Sequence, residues 1–448
     1  MATHTKNMTQ GRPLSLIVTF ALPLMVGNVF QQLYTVVDTM VVGKALGVDA
    51  LAALGAADWM NWMMLGVIQG LTQGFSILMA QRFGAGLKEE LRTVVGNSAV
   101  LSLLSALALL LAGQLLARPV LVLLQTPPEI LDAALLYLRI MYLGIPIVMA
   151  YNLLACILRS MGDSRTPLQA MAVASFVNIG LDLLFVLVFR LGIGGAAAAT
   201  LIAQLVSGLY CLYYIRKTES LVLSAQDFRF RKGLPLQLLL LGTPMAFQNA
   251  IISVGGMIVQ FVVNGSGVIF IAGFTATNKL YGVLEVAATS YGYSMITYAG
   301  QNLGAGKTDR IRKGMRSAVA VSLVTSVLIA AFMLLAGRLI LGCFISGTPE
   351  EYQQTFGIAY YYLAVMSLCL PILYILHVTR SAIQGMGNTL LPMASGIAEF
   401  VMRAATAIFL PMVIGETGIF YAEIMAWTGA VLILVISYFI VIRKIEAK

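Results

Sequence analysis

Two polar side chains stand four residues apart in an otherwise apolar stretch. On a helix, Asn178 and Asp182 therefore present their oxygen atoms on the same side. Asp38 and Asn152 lie in two further apolar stretches, so the four residues can supply two carboxylates and two amide carbonyls. Oxygen ligands suit a hard cation such as sodium, and paired carboxylates also suit a proton because two like charges repel. We expect a coupling site for a proton or a sodium ion, or asparagines that only hydrogen-bond helices together.

Further ionisable residues lie in apolar stretches, where each costs a few kcal/mol unless it is paired or functional. Glu399 and Arg403 have the spacing of neighbours on one helix, which favours a structural ion pair. Glu285 has no local partner and is a candidate acidic group facing a substrate cavity.

The composition predicts an integral membrane protein. Of 448 residues, 59% are hydrophobic and 10% are charged, and the mean hydropathy is +0.90. Soluble domains carry about 25% charged residues, so lipid must be the main solvent. The net charge of +9 is then best explained by basic loops that face anionic headgroups, so we expect no nucleic-acid partner. Four scattered cysteines, Cys156, Cys211, Cys343 and Cys369, indicate neither zinc nor disulfides.

About twelve apolar segments are long enough to cross a bilayer as helices. Their approximate limits are 14–42, 51–80, 94–117, 133–160, 167–191, 193–216, 237–264, 270–300, 317–345, 355–384, 391–413 and 418–442. The loops rich in Lys and Arg alternate with loops that hold only Lys44, Arg118, Arg139, Arg190 and Arg338. By the positive-inside rule, both termini face the cytoplasm and the chain spans the cytoplasmic membrane several times.

An internal repeat divides the chain into two halves of six spans. Gln81-Arg-Phe-Gly-Ala-Gly86 recurs as Gln301-Asn-Leu-Gly-Ala-Gly306, and Pro146 recurs as Pro371. We predict an N-lobe over 1–216, a cytoplasmic linker and hinge over 217–236, and a C-lobe over 237–448. A separation of 225 residues places His377 opposite Asn152 and Arg403 opposite Asn178. Because a guanidinium repels sodium, we expect no sodium site at that place in the C-lobe.

Two glycine patterns are interpreted as structural. Gly66, Gly70 and Gly74 form a strip on which another helix can pack closely. Gly304-Ala-Gly-Lys-Thr308 resembles the end of a phosphate-binding loop, but Gln301 stands where that motif needs a glycine. We therefore expect no nucleotide cofactor, no metal beyond sodium at the coupling site, and transport driven by a proton or sodium gradient.

Taken together, these motifs resemble the multidrug and toxic compound extrusion (MATE) family, in a bacterial branch. The resemblance rests on Pro23 with Val36-Val-Asp38-Thr-Met-Val-Val-Gly43, on the cluster Asn152, Asn178 and Asp182, and on the paired glycine turns. It implies an all-α membrane protein with twelve transmembrane helices, two pseudo-twofold lobes and a central V-shaped cavity. It also implies that Pro23 bends the first helix. A departure is the lack of a carboxylate after Pro244, where Gln248, Asn249 and Gln260 offer only neutral groups to a substrate.

The resemblance implies a secondary active transporter, not an enzyme. It would act as a monomer in a bacterial cytoplasmic membrane and export small amphipathic organic cations in exchange for protons or sodium ions. The alternative is a flippase for a lipid-linked or other amphipathic metabolite, which would need a cavity rich in Arg and Lys. An enzyme or sensor would need a catalytic constellation or a soluble domain, and the loops are too short for one.

Overall fold

The computed structural model describes residues 5–342, 345 and 348–447, and the regular structure in that part of the chain is helical. The helices are α1 Pro13–Leu46, α2 Val48–Gly84, α3 Lys88–Leu123, α4 Pro128–Leu143, α5 Ile145–Ser160, α6 Arg165–Asp182, α7 Gly192–Arg216, α8 Leu234–Asn264, α9 Val268–Gly304, α10 Thr308–Gly342, α11 Pro349–Leu368, α12 Leu370–Gly385, α13 Leu390–Ile414 and α14 Ala422–Glu446. Cys156 and Cys211 are buried and Cys369 is half-buried, whereas Cys343 lies outside the described residues.

The expected membrane spans are present as helices. Within the described residues, nine helical segments are long and apolar enough to cross a bilayer, and two bent helix pairs bring the count to eleven. The twelfth predicted span is α9, which has 37 residues and contains Lys279 and Glu285. Most helices run several residues beyond the apolar limits, because their polar ends continue into the loops.

Two predicted spans, 133–160 and 355–384, are broken rather than continuous. α4 and α5 meet at an angle of 48°, and α11 and α12 meet at the same angle. Pro146 and Pro371 are each the second residue of the helix that follows the break. Proline has no N–H to donate to the preceding turn and its ring crowds that turn, so the helix restarts in a new direction.

The helix bounds confirm the internal repeat. α2 begins at residue 48 and α9 at residue 268, which is 220 residues later. α5 and α12 both have 16 residues and begin at 145 and 370, a separation of 225. The turns repeat as well: Gly86 and Gly306 have φ of 74° and 68°. That left-handed conformation favours glycine and ends both helices, as expected of the glycine turns.

The chain divides into two compact units. The first comprises 1–9, 22–247 and 304–306, and the second comprises 10–21, 248–303 and 307–448, within the described residues. Residues 22–247 include all four predicted coupling residues, whereas the second unit includes Glu285, Glu399 and Arg403.

In the first unit, the glycine strip of α2 packs against α8. A Cβ atom at Gly70 would fall inside van der Waals contact with the backbone of Ala246, and one at Gly74 with the backbone of Gly242. The strip therefore has the packing role that we predicted from its spacing.

The linker expected as a hinge over 217–236 is shorter than predicted, since α8 begins at Leu234, and part of it is fixed to α3. The Nδ2 atom of Asn97 donates to the carbonyl oxygens of Asp227 at 3.1 Å and Arg229 at 3.0 Å. Its Oδ1 atom accepts from the backbone N–H of Arg231 at 3.2 Å. Residues 227–231 are therefore a docked strap rather than a free tether.

Candidate functional site

The structure brings Asp38 and Asp182 together. The two carboxyl groups, on α1 and α6, are close enough to share a hydrogen bond. The same two helices lie close together at Gly27, where a Cβ atom would be 3.3 Å from Sδ of Met171 on α6. Ser175 of α6 also donates to the carbonyl oxygen of Phe30 at 3.4 Å. α1 and α6 are therefore in contact at Gly27 and at Phe30, before the chain reaches Asp38.

Asn178 is part of the same cluster. It lies one turn before Asp182, is buried, and donates from Nδ2 to Oγ1 of Thr200 on α7 at 3.5 Å. Asp182 is the last residue of α6, and a π-helical turn over Leu183–Val188 follows it. The fifth predicted span is thus not a uniform α-helix, and π turns inside helices often coincide with functional sites.

The cluster has more acceptors than donors. Five buried oxygen atoms have no hydrogen-bond donor within the described residues: Oδ1 of Asp38, Oδ1 of Asn178, both carboxyl oxygens of Asp182, and Oε1 of Gln204. A buried polar atom without a partner costs roughly 1–3 kcal/mol. Several oxygen atoms with this deficit fit a proton or a hard cation, since either one satisfies them together.

A small cavity of about 30 Å³ adjoins the cluster. Its walls include Gln31, Tyr34, Asn178, Thr200 and Gln204. That volume holds about two water molecules, and its walls carry enough polar atoms to bind them. Water in this cavity would lie beside Asn178.

Several of these wall residues were not predicted from the sequence, although their spacing carries a signal. Gln31 and Tyr34 stand seven and four residues before Asp38, so all three lie near one face of α1. Thr200 and Gln204 are four residues apart on α7 in the same way. A search for polar residues four or seven positions from a candidate site residue on the same helix identifies Gln31 and Tyr34. Thr200 and Gln204 show the same spacing to each other.

Asn152 stands apart from the described contacts of this cluster. It is buried, and its Nδ2 atom donates to the carbonyl oxygen of Val148 one turn earlier on α5, at 2.8 Å. Pro23 lies inside the continuous helix α1, between Leu16 and Gly27, and its predicted bending role stays a prediction.

The second unit contains a chain of buried charges. Glu399 is the centre of two contacts: Oε1 lies 3.1 Å from Nη2 of Arg403, and Oε2 lies 2.6 Å from Nη2 of Arg380. Arg403 also reaches Oε2 of Glu423 at 2.7 Å and the carbonyl oxygen of Ile252 at 3.1 Å. The expected pair of Glu399 and Arg403 is present in space, within a four-residue chain across α12, α13 and α14.

Arg380 and Glu423 were not among the residues singled out in the sequence. Both fall inside predicted spans, 355–384 and 418–442, and an ionisable residue inside a span is by itself a signal. Their ion-pair partners lie on other helices, so the pairing depends on how three helices pack and cannot be predicted from the spacing of residues along one helix.

The four residues expected to line a substrate cavity have different partners. Oε1 of Glu285 lies 3.2 Å from Nε2 of His377. This carboxylate therefore has a partner on another helix, although it has none nearby in the sequence. Gln248 is buried and accepts from Nε2 of Gln384 at 3.3 Å. Gln260 donates to Oδ1 of Asn264 at 2.8 Å, and the backbone oxygen of Asn249 accepts from Ser253.

Comparisons with known proteins agree on one family. A family model described as MatE matches residues 23–184 and 244–409. YpnP of Bacillus subtilis (strain 168), described as a probable multidrug resistance protein, is 33% identical over 309 residues, which are 68% of each chain. YoeA of the same strain, described in the same words, is 28% identical over 341 residues, or 74% of each chain. A crystal structure of MATE in complex with MaL6 superposes with a TM-score of 0.92 over 100% of both chains at 22% identity, which shows a shared fold.

Proposed function

This chain belongs to the MatE family of multi-pass membrane transporters, and from that premise we propose that it exports amphipathic organic cations in exchange for protons or sodium ions. Family members are transporters, so the chain is a transporter and not an enzyme. We propose that its two lobes alternate access to the two sides of a bacterial cytoplasmic membrane. Both termini would face the cytoplasm, as the basic loops indicate, and one copy of the chain would suffice.

The cluster of oxygen atoms without donors carries the proposal on coupling. Asp38 and Asp182 place a half-buried and a buried carboxyl group side by side, where two negative charges repel. Binding a proton or sodium ion between them removes that repulsion and satisfies oxygen atoms that otherwise lack a partner. Asn178 adds a neutral oxygen ligand. An energy supply from this cation gradient needs no nucleotide.

The charges of the second unit support an organic cation rather than a phosphate as substrate. A flippase for a pyrophosphate-linked lipid needs cationic side chains that are free to bind the phosphates. The two buried arginines, Arg380 and Arg403, each contact a carboxylate, and Glu285 is acidic. The named relatives YpnP and YoeA are also described as probable multidrug resistance proteins, which favours the same class of substrate.

Flux in proteoliposomes tests this function. The purified chain is reconstituted, and transport of the fluorescent cation ethidium is followed with a pH gradient and a sodium gradient imposed separately. We expect concentrative transport with at least one gradient. Asp38→Asn should abolish gradient-driven transport and leave the folded protein intact, because it removes one of the two carboxylates.

Asp132→Asn is the matched control. It makes the same chemical change at an exposed residue of α4, so transport should stay near the wild-type rate. Normal concentrative transport by Asp38→Asn, with either gradient, would refute the coupling role. Transport of a lipid-linked anion and not of ethidium would refute the substrate class.

A further inference from the structure

The buried charge chain of the second unit balances itself. Arg380, Glu399, Arg403 and Glu423 alternate in sign along three contacts of 2.6–3.1 Å, and two positive groups face two negative ones. Glu285 and His377 stand outside this balance. Their contact has a carboxylate on α9 and an imidazole on α12, so its net charge depends on whether the imidazole holds a second proton.

Glu285 is the most accessible of these six charged or titratable side chains. It is 30% exposed, whereas His377 and Glu423 are each 18% exposed and Arg380, Glu399 and Arg403 are 5–10% exposed. A ligand that binds to Glu285 therefore needs no access to the more deeply buried Glu399 and Arg403.

An aromatic surface adjoins Glu285 on the same helix. Tyr281 lies one turn before Glu285, and its ring stacks on that of Trp427 with centroids 6.1 Å apart and an angle of 15° between the planes. Trp427 is buried and packs on one face of the Tyr281 ring. Glu285 is within electrostatic range of Tyr281, and an aromatic ring attracts organic cations through its face.

We propose that protonated His377 is a built-in competitor of the organic cation for Glu285. This inference rests on the proposed function and assigns its substrate site. When His377 is protonated, the imidazolium neutralises Glu285 and no net charge remains for a ligand. When His377 is neutral, the carboxylate attracts an organic cation, and Tyr281 presents its ring to the apolar part of the ligand.

The exchange balances in charge and in protons. One organic cation binds to Glu285 and one proton leaves Nε2 of His377, so the charge of the occupied site stays the same. Imidazole gains or loses its charge between about pH 5 and 8. Low pH thus weakens binding of the cation to Glu285 and higher pH strengthens it. This local competition sets the affinity for the cation, while the carboxyl pair of the first unit couples transport to the gradient.

Several charged and titratable groups on the surrounding helices lie near Glu285 and His377. Glu399 of α13 interacts with His377, and Glu423 of α14 with Glu285, but each carboxylate also contacts an arginine. Tyr374 of α12 lies within electrostatic range of Glu285 and uses its hydroxyl to donate to the carbonyl oxygen of Leu284. Arg403 lies within electrostatic range of Tyr281.

The first test observes the imidazole directly. The sequence has two histidines, so the full chain with His4→Gln and ¹⁵N-labelled histidine gives one imidazole signal, that of His377. We expect tetraphenylphosphonium, a permanent cation without a titratable proton, to move the titration of this signal to lower pH by about one unit. By thermodynamic linkage, deprotonation of His377 must then raise the affinity for the cation by the same factor, about tenfold.

The second test measures binding of tetraphenylphosphonium to the full chain between pH 5.5 and pH 8. Wild-type affinity should rise about tenfold with pH. His377→Gln keeps an amide within reach of Glu285 but cannot be charged, so its affinity should be high and independent of pH. His377→Lys should bind weakly throughout, and neutral triphenylphosphine oxide should bind without pH dependence.

Separate outcomes overturn the inference and the proposed function. If tetraphenylphosphonium binds while the His377 signal titrates unchanged, or if His377→Gln keeps the wild-type pH dependence, the competition does not exist. The same comparison in an Asp38→Asn background removes the contribution of the carboxyl pair in the first unit. If the wild-type chain binds no tetraphenylphosphonium at any pH, the proposed substrate class is wrong and this assignment with it.

Discussion

The Nη2 atom of Arg380 on α12 lies 2.6 Å from Oε2 of Glu399 on α13, while Arg403 approaches the other oxygen of the same carboxylate. Glu399 thus has two cations, and Glu423 has one, namely Arg403. The consequence is an asymmetry: loss of Arg403 leaves Glu399 paired but takes from Glu423 the guanidinium that it contacts.

Arg403→Ala should therefore destabilise the protein by roughly 3–5 kcal/mol, the cost of breaking a buried ion pair from one side. The double variant with Glu423→Gln should recover more of this loss than the double variant with Glu399→Gln, because Glu423 is the carboxylate left without its cation. The measurement is the free energy of unfolding in detergent, or the melting temperature of each variant. Equal recovery by the two double variants would contradict the asymmetry.

The sequence predicts features that depend on residues close together in the chain, and it does not predict contacts between residues that are far apart in the chain. Lipid imposes long apolar helices, and the spacing of Asn178 and Asp182 fixes their shared face, so both are predictable locally. Two helix breaks occur at Gly144 and Cys369, each two residues before a proline that is evident in the sequence. A proline can also lie inside an unbroken helix, as Pro23 does in α1. The prolines alone could not separate these cases, since the outcome depends on what packs around each turn.

The site itself divides in the same way. The grouping of Asp38 with Asp182 was a hypothesis based on residue type, and the resemblance to a family supported it, because no local rule connects α1 with α6. The partner of Glu285 is 92 residues away in the chain, at His377. Such pairings arise from the packing of helices and not from periodicity.

Thr200 should tune the affinity for the coupling cation. Its Oγ1 atom accepts from Asn178 and so orients the amide, whose buried oxygen has no hydrogen-bond donor within the described residues. Thr200→Val removes the hydroxyl at nearly constant shape, and groups that orient a ligand typically change cation affinity by 10–100-fold. We expect about tenfold, since the contact is long at 3.5 Å.

The measurement for Thr200→Val is the proton or sodium concentration that gives half-maximal ethidium transport. Thr200→Ser keeps the hydroxyl and should resemble the wild type. A Thr200→Val variant with wild-type half-saturation and normal stability would show that Asn178 is oriented by other contacts.

The packing of α2 on α8 can be tested by comparing alanine substitutions at two glycines of α2, one in the contact and one outside it. Gly70→Ala places a methyl group against the backbone of Ala246, which cannot move aside as a side chain can. Overpacking of this kind costs roughly 1–3 kcal/mol. Gly55→Ala on the same helix meets nothing within 4 Å and should be neutral or slightly stabilising. The measurement is the melting temperature of each variant in detergent. Equal changes in the two variants would contradict the close approach at Gly70.

The strap over residues 227–231 should open when Asn97 is shortened. Asn97→Ala removes three hydrogen bonds to the backbone of the strap, to Asp227, Arg229 and Arg231. Each is worth about 0.5–1.5 kcal/mol, and the loss raises the population of the open strap without unfolding the helices. Every 1.4 kcal/mol corresponds to about tenfold in that population.

Limited digestion of the folded chain with trypsin measures this opening, because the strap contains Arg229 and Arg231 and is followed by Lys232. Cleavage there should be at least about tenfold faster in Asn97→Ala than in the wild type. Ser98→Ala is the matched control: it alters the next residue of α3, whose buried hydroxyl has no hydrogen-bond partner within the described residues. Since Ser98 holds no part of the strap, its variant should be cut at the wild-type rate. Equal cleavage of Asn97→Ala and Ser98→Ala would mean that the strap is held by the turn of the chain itself and not by Asn97.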